Sequence, residues 1–327
     1  MRKHRIRAAI AFSDRVAPLL DRSLQPRNVE LHFQSGSADD IFWRALHGNA
    51  FDLAEMSLAA YCVLVSRSDR RFVGLPVFTL RAFRHNSVYV RSDSGLTSFA
   101  QLSGRKVGLP EYQMTAAVWV RGLMADSHGV DLTWVEWYAG GVDKPGREER
   151  IPLRMPPNYR LTRLGEQQTL GAMLLKGEID ALIAPGAPEV FKKTAGRVRR
   201  LIVDYRQAEG RYFQETGIFP IMHLLVMRRE AYEAKPAIAA DLYELFSEAK
   251  QASMSRLLDT ETPAYMAPWL HEDVENTCRT MGSDYWPYGV RTNEHCLATF
   301  LKFVSDQGLL AKPLTVAELF VPELRST

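Results

Sequence analysis

Five short segments of this 327-residue chain carry residue types and spacings suited to chemistry on a small anion. Arg81-Ala-Phe-Arg84-His85 gathers two guanidinium groups and an imidazole between apolar flanks at Val77, Phe78, Val88 and Val90. Guanidinium forks hold carboxylates by paired charge-assisted bonds, and an imidazole moves protons near neutrality. Strict strand alternation puts Arg81 and His85 on one face and Arg84 on the other, unless the chain bends first. Glu111-Tyr112-Gln113-Met114-Thr115 lies between a strand's carboxyl end and a helix amino end, where outward N–H groups attract anions. Tyr112, Gln113 and Thr115 are its hydrogen-bonding candidates, Thr115 also being an ordinary cap. His223 interrupts the apolar run Phe219 to Met227, either as a satisfied core residue or as a proton donor. Glu55 and Ser57 fall at another strand end, Glu55 as a proton acceptor or as a helix-start charge. Arg147 can close over a ligand, although it shares a Pro-, Gly- and Arg-rich excursion with Arg150, Arg154 and Arg163, all expected to be solvated.

These residues need elements to position them. Strands are expected at Ile6–Phe12, Val29–Phe33 and Phe51–Met56, alternating with helices near Val16–Arg22 and Asp39–Gly48. The second helix has Ile41, Phe42, Ala45 and Leu46 on one face and Ser37 as its cap. Such alternation predicts a parallel sheet with helices on both faces and sites at the strands' carboxyl ends. Ser98 with Gln101 spells a capping box, and Gly104 ends that turn. Strands follow at 104–109 and 132–137, a helix at 115–126, an irregular stretch at 140–163, a helix at 170–176 closed by Gly177, and a buried strand at 179–184. The chain then returns through 222–227, a central strand of the first lobe, and helices at 236–258 and 293–307. The expected division is residues 1–85 with 219–327 as lobe I and 86–218 as lobe II.

Composition narrows the classes. The chain is too long for one small core, and 46% hydrophobic with 24% charged residues is ordinary for a globular protein. A net charge of +3 without a basic face argues against a nucleic-acid partner. Cys62, Cys278 and Cys296 form neither a disulfide framework nor a zinc knuckle. His271, Asp273, Glu275 and Cys278 lack metal-ligand spacing, and no nucleotide fingerprint or nucleophile elbow occurs. The amino-terminal apolar run, Ala8 to Phe12, is too short for a secretory signal, and no run approaches a membrane span. A cytoplasmic protein without a membrane partner is expected, and an oligomer is compatible with the sequence.

A resemblance sharpens this. The order strand, Asp93-Ser-Gly-Leu96, Leu102-x-Gly-Arg-Lys-Val-Gly108, then helix start resembles the second lobe of type II periplasmic-binding-protein folds. Arg81-x-Phe-Arg-His85 with Tyr89-Val90, Pro110-Glu-Tyr-Gln-Met-Thr-Ala116, Gly177-Glu-Ile-Asp-Ala181, Phe219-Pro-Ile-Met-His223 and Trp286-Pro-Tyr-Gly289 with Asn293 are similar to the 4,5-dihydroxyphthalate decarboxylase family. The resemblance implies a two-lobed α/β protein with a ligand cleft between lobes. It implies a lyase of phthalate and aromatic catabolism, taking 4,5-dihydroxyphthalate to 3,4-dihydroxybenzoate and CO2 without an organic cofactor. His223 or His85 would be the acid, Glu55 would take the phenolic proton, and Arg81 or Arg84 would hold the retained carboxylate. The competing class is a non-catalytic receptor or sensor for a small aromatic carboxylate, because fold alone does not fix function.

Overall fold

A computed structural model describes residues 4–26, 28–34 and 36–327. Contacts divide the chain into two compact units. The first holds the chain up to Arg81, Ile221–Ala298 and Leu314–Thr327; the second holds Ala82–Pro220 and Thr299–Pro313. Strands β1 (His4–Ala9), β2 (Val29–Gln34), β3 (Leu53–Ser57) and β4 (Phe72–Arg81) open the first unit. Strands β5 (Val88–Arg91), β6 (Lys106–Leu109), β7 (Glu136–Ala139), β8 (Arg160–Arg163), β9 (Ala181–Ile183) and β10 (Val198–Arg200) belong to the second, and β11 (Ile221–Arg228) returns to the first.

In the first unit the sheet runs β2-β1-β3-β11-β4. Strands β1, β2 and β3 are parallel, as the βα alternation predicts, but β11 enters antiparallel to both neighbours, making the sheet mixed. All five residues of β3 are buried, as befits a strand covered on both faces. The helix Ala38–His47 buries Ile41, Phe42, Ala45 and Leu46, and the Ser37 side chain accepts the Asp40 N–H.

The second unit's sheet runs β10-β5-β9-β6-β7-β8. The capping box of Ser98 and Gln101 is present, on a 3-10 turn, and Gly177 ends the helix Leu170–Lys176 at φ 76°. Strands β8 and β10 and the helix Tyr205–Thr216 arise in segments whose polar composition hides their period. Residues 299–313, kept with lobe I by the sequence division, pack in this unit. The cause is aromatic: Phe300 and Phe303 lie one turn apart and reach Trp119 with ring centroids 5.2 and 5.6 Å away. Gly122 is needed there, because a Cβ would stand 2.1 Å from the Phe303 ring. No helix among the described residues is long and apolar enough to cross a membrane.

Candidate functional site

At the carboxyl end of β3 the register decides which side chains meet. His223 of β11 stands opposite Ser57, and Leu225 stands opposite Glu55. Opposed residues share a face, so Glu55, Ser57 and His223 project to the same side, with Glu55 diagonal to His223. The two close to 2.6 Å between His223 Nδ1 and Glu55 Oε1. Glu55 Oε2 accepts the Ala11 N–H at 2.9 Å, just beyond β1. Phe42 meets the His223 ring edge-on at 4.8 Å. Burial alone would raise the Glu55 carboxyl, but the His223 hydrogen bond and charge, the Ala11 N–H and Thr79 together hold it below its usual range. An ionised carboxylate only accepts, so Nδ1 of His223 carries a hydrogen and Nε2 is the nitrogen left to work. Ser57 caps the following helix, accepting the Ala60 N–H at 3.5 Å.

Beside this group, β4 ends at Arg81, which is 4% exposed. Its Nη2 donates to Pro287 O at 2.8 Å and to Asn293 Oδ1. Asn293 Nδ2 donates to Pro287 O and Gly289 O, while the Gly289 N–H donates to Pro76 O and Trp286 Nε1 to Phe78 O. Two dispersed sequence strings are thus one latch along β4. Burial lowers the Arg81 guanidinium to about 10. Arg15, which sequence patterning missed, stacks on Trp286 at 4.0 Å and donates to Thr79 O.

The chain leaves the strand after Arg81 and makes a 3-10 turn at His85–Ser87, so strand alternation does not govern Arg84 and His85. Both belong to the second unit. Arg84 is buried, donates to Pro185 O at 3.3 Å and is lowered to about 10 by burial, opposed by the Glu209 carboxylate. His85 is 6% exposed between Phe99 and Tyr212. Burial and then His128 push its imidazole down to about 4, so it is neutral at pH 7. The sign of the resulting pH dependence is fixed. The unfolded chain binds His85's proton near 6.5 and the folded one near 4, so stability falls as pH drops through that window. The loss approaches about 3 kcal/mol. Urea titrations at pH 7 and pH 4.5 are expected to show a gap in the parent that shrinks in His85→Phe.

Also in the second unit, the helix Thr115–Asp126 is preceded by the expected anion-attracting turn, but a carboxylate of the chain itself occupies it. Glu149 accepts the N–H groups of Tyr112 and Gln113. Tyr112 is fully buried, its ring 3.7 Å from the guanidinium carbon of Arg121. Gln113 donates to Ile151 O and is buried, as is Thr115. Arg121 donates to Tyr112 O at 2.5 Å and to Gln307 Oε1 at 2.8 Å. A lone arginine inside the apolar run Ala116 to Met124 was the sequence signal for this buried charge. Arg147 and Arg150 are not solvated as expected: both pair with buried Glu111, at 2.6 and 3.1 Å, and Arg150 is itself buried. Their carboxylate partner draws them inward; Arg163, with no such partner among the described residues, is exposed. No cluster of three or more His, Cys, Asp or Glu suited to a metal occurs among the described residues.

Glu55, Ser57, His223 and Arg81 therefore gather where β3 ends in the first unit's sheet, while Arg84, His85, Tyr112, Gln113, Thr115 and Arg147 belong to the second. What the first group can do chemically is orient an imidazole and pass a proton through its Nε2.

No protein-family model matches the chain. Among solved structures, the periplasmic aliphatic sulphonate binding protein SsuA from Escherichia coli superposes with a TM-score of 0.54 at 14% identity, covering all of both chains. The alkanesulfonate-binding protein SsuA from Xanthomonas axonopodis pv. citri gives 0.53 at 14% identity, over 98% of this chain and 99% of that one. These likenesses show the fold, that of type II periplasmic-binding proteins. Among curated sequences, the 4,5-dihydroxyphthalate decarboxylase of Comamonas testosteroni is 36% identical over 98% of both chains. The protein of the same name from Pseudomonas putida is 38% identical over 64% of this chain and 80% of its own length.

Proposed function

This chain belongs to the 4,5-dihydroxyphthalate decarboxylase family, and from that premise we propose that it is a carboxy-lyase acting on 4,5-dihydroxyphthalate through the Glu55–His223 pair. The observation that carries the mechanism is the 2.6 Å contact at Nδ1, which fixes the ring and leaves Nε2 to deliver a proton. In the substrate each carboxylate is para to a hydroxyl. His223 Nε2–H protonates the ring carbon that bears the departing carboxylate, and the charge spreads to the para oxygen. The carbon–carbon bond then breaks, its electron pair returns to the ring, and CO2 leaves. One proton enters from solvent through His223 for each CO2 released, so substrate dianion and proton balance product monoanion and CO2.

Glu55 serves this step by holding His223 rather than by taking the phenolic proton, because His223 and the Ala11 N–H already engage its two oxygens. Arg81 is committed to Pro287 and Asn293 and acts by fixing the end of β4.

The test is incubation of the purified protein with 4,5-dihydroxyphthalate in D2O. Expected are equal amounts of CO2 and 3,4-dihydroxybenzoate, with one deuterium on the vacated ring carbon. Recovery of the diacid unchanged and unlabelled would make the chain a receptor and end this reading.

A further inference from the structure

The segment that follows β1 reaches the Glu55–His223 pair by two routes. Ala11 donates its N–H to Glu55 Oε2, and Arg15 donates Nε and Nη2 to Thr79 O at 3.2 and 2.9 Å. Thr79 lies close enough to the Glu55 carboxyl to help lower it, and the next residue, Leu80, stands opposite His223 in the β4–β11 register. All of these residues belong to the first unit. The Arg15 guanidinium is held from two further sides. Trp286 stacks on it at 4.0 Å, and Asp14 Oδ1 accepts from Nη1 at 2.7 Å while also accepting the Arg15 backbone N–H. Together these bonds use three of a guanidinium's five N–H donors. The remaining donors, one on each Nη, have no acceptor among the described residues. The side chain is only 15% exposed, and polar groups so enclosed are nearly always paired. One carboxylate, with two oxygens in a plane, matches such a pair of donors. Arg81, which residue type alone suggested for that task, gives its Nη2 to Pro287 O and Asn293 Oδ1 instead.

We propose that Arg15 binds a carboxylate of the aromatic acid, the one the ring retains when CO2 leaves. Arg15 in this role rests on the substrate class of the proposed function and adds the group that holds that substrate. The retained carboxylate keeps its charge throughout the reaction, so the contact fixes the ring while His223 delivers the proton. Stacking on Trp286 and the bonds to Thr79 O orient the fork before the acid arrives, which lowers the cost of ordering it.

The probes are 3,4-dihydroxybenzoate, which carries the retained carboxylate, and catechol, which lacks it. Each is titrated calorimetrically against the full chain at pH 7.5. The parent is expected to bind 3,4-dihydroxybenzoate more tightly than catechol by about tenfold or more. Arg15→Ala should erase most of that ratio, weakening 3,4-dihydroxybenzoate about ten- to hundredfold and catechol less than about threefold. An arginine that only clamps the turn would weaken both ligands alike when removed, and that result overturns the proposal. So does a parent that fails to distinguish the two. Should Arg15→Ala fail to fold by circular dichroism, Arg15→Gln decides, since its amide can still donate to Thr79 O: an unchanged ratio refutes the site. Neither titration needs turnover. A parent with the Arg15-dependent ratio that releases no CO2 from 4,5-dihydroxyphthalate supports the carboxylate site and ends the decarboxylase reading. One that releases CO2 without that ratio ends the carboxylate site alone.

Discussion

His223→Ala is expected to lower kcat for 4,5-dihydroxyphthalate by two to four orders of magnitude, the usual range for a positioned proton donor, of about 10²–10⁴-fold. Its effect on diacid affinity should stay within about threefold, because the residue contributes to the transition state rather than to ground-state holding. The variant leaves the buried Glu55 carboxylate with the Ala11 N–H but without its imidazole, so some stability is lost too. Turnover should accordingly be measured well below the thermal transition. Glu55→Gln provides the companion result. An amide can present N–H to Nδ1, which holds the ring neutral with its one hydrogen on Nε2 and removes the carboxylate that supports the imidazolium able to give that hydrogen up. Its kcat should fall nearly as far as that of His223→Ala, and the double variant should be little worse than either, since the two act as one unit. Full activity in both single variants would move the chemistry away from this pair.

The second large effect is on stability. Arg121→Ala is expected to cost about 3–5 kcal/mol, the usual consequence of breaking a buried charged network. Arg121 is 0% exposed, holds Tyr112 O and Gln307 Oε1, and lies against the Tyr112 ring. Burial lowers its own guanidinium, and the nearby Glu149 carboxylate opposes that shift. Removal leaves a void, two acceptors without their donor, and the Glu149 carboxyl, already raised by burial, without that neighbouring charge. Arg121→Lys keeps the charge but loses the fork that reaches two acceptors, and should recover only part of the loss. Urea unfolding followed by tryptophan fluorescence measures it directly, Trp119 and Trp137 being buried in the same unit. A midpoint for Arg121→Ala matching the parent would show that the network contributes little.

Local features were the most legible in the sequence. The Ser98–Gln101 box, the Gly177 stop and the Ser37 cap each depend on residues three to seven apart, and each forms. The apolar run after Ile221 was equally plain, because a central strand buries both faces. Its direction was not, since nothing within the run records which neighbours it will pair with. The same limit applies to the site. Glu55 and His223 could each be singled out, but their contact joins positions 168 residues apart and follows from the β3–β11 register. Arg81 and Asn293, 212 residues apart, show the reverse case: the arginine's type suggested a ligand, and a distant asparagine and carbonyl engage it. Arg150 carried no local sign of burial because Glu111, its partner, lies outside the excursion.

Placing β11 between β3 and β4 has a consequence for how the molecule is made. During synthesis the ribosome releases β3 and β4 early, yet the strand that joins them emerges only after the whole of the Ala82–Pro220 segment. Until then both strands present open edges, which are templates for wrong pairing. His223 arrives on that same late strand, two residues after it begins. The Glu55–His223 contact therefore waits on the last strand of this sheet to leave the ribosome, so a nascent chain that has released β3 and β4 still holds Glu55 without the imidazole that pairs with it.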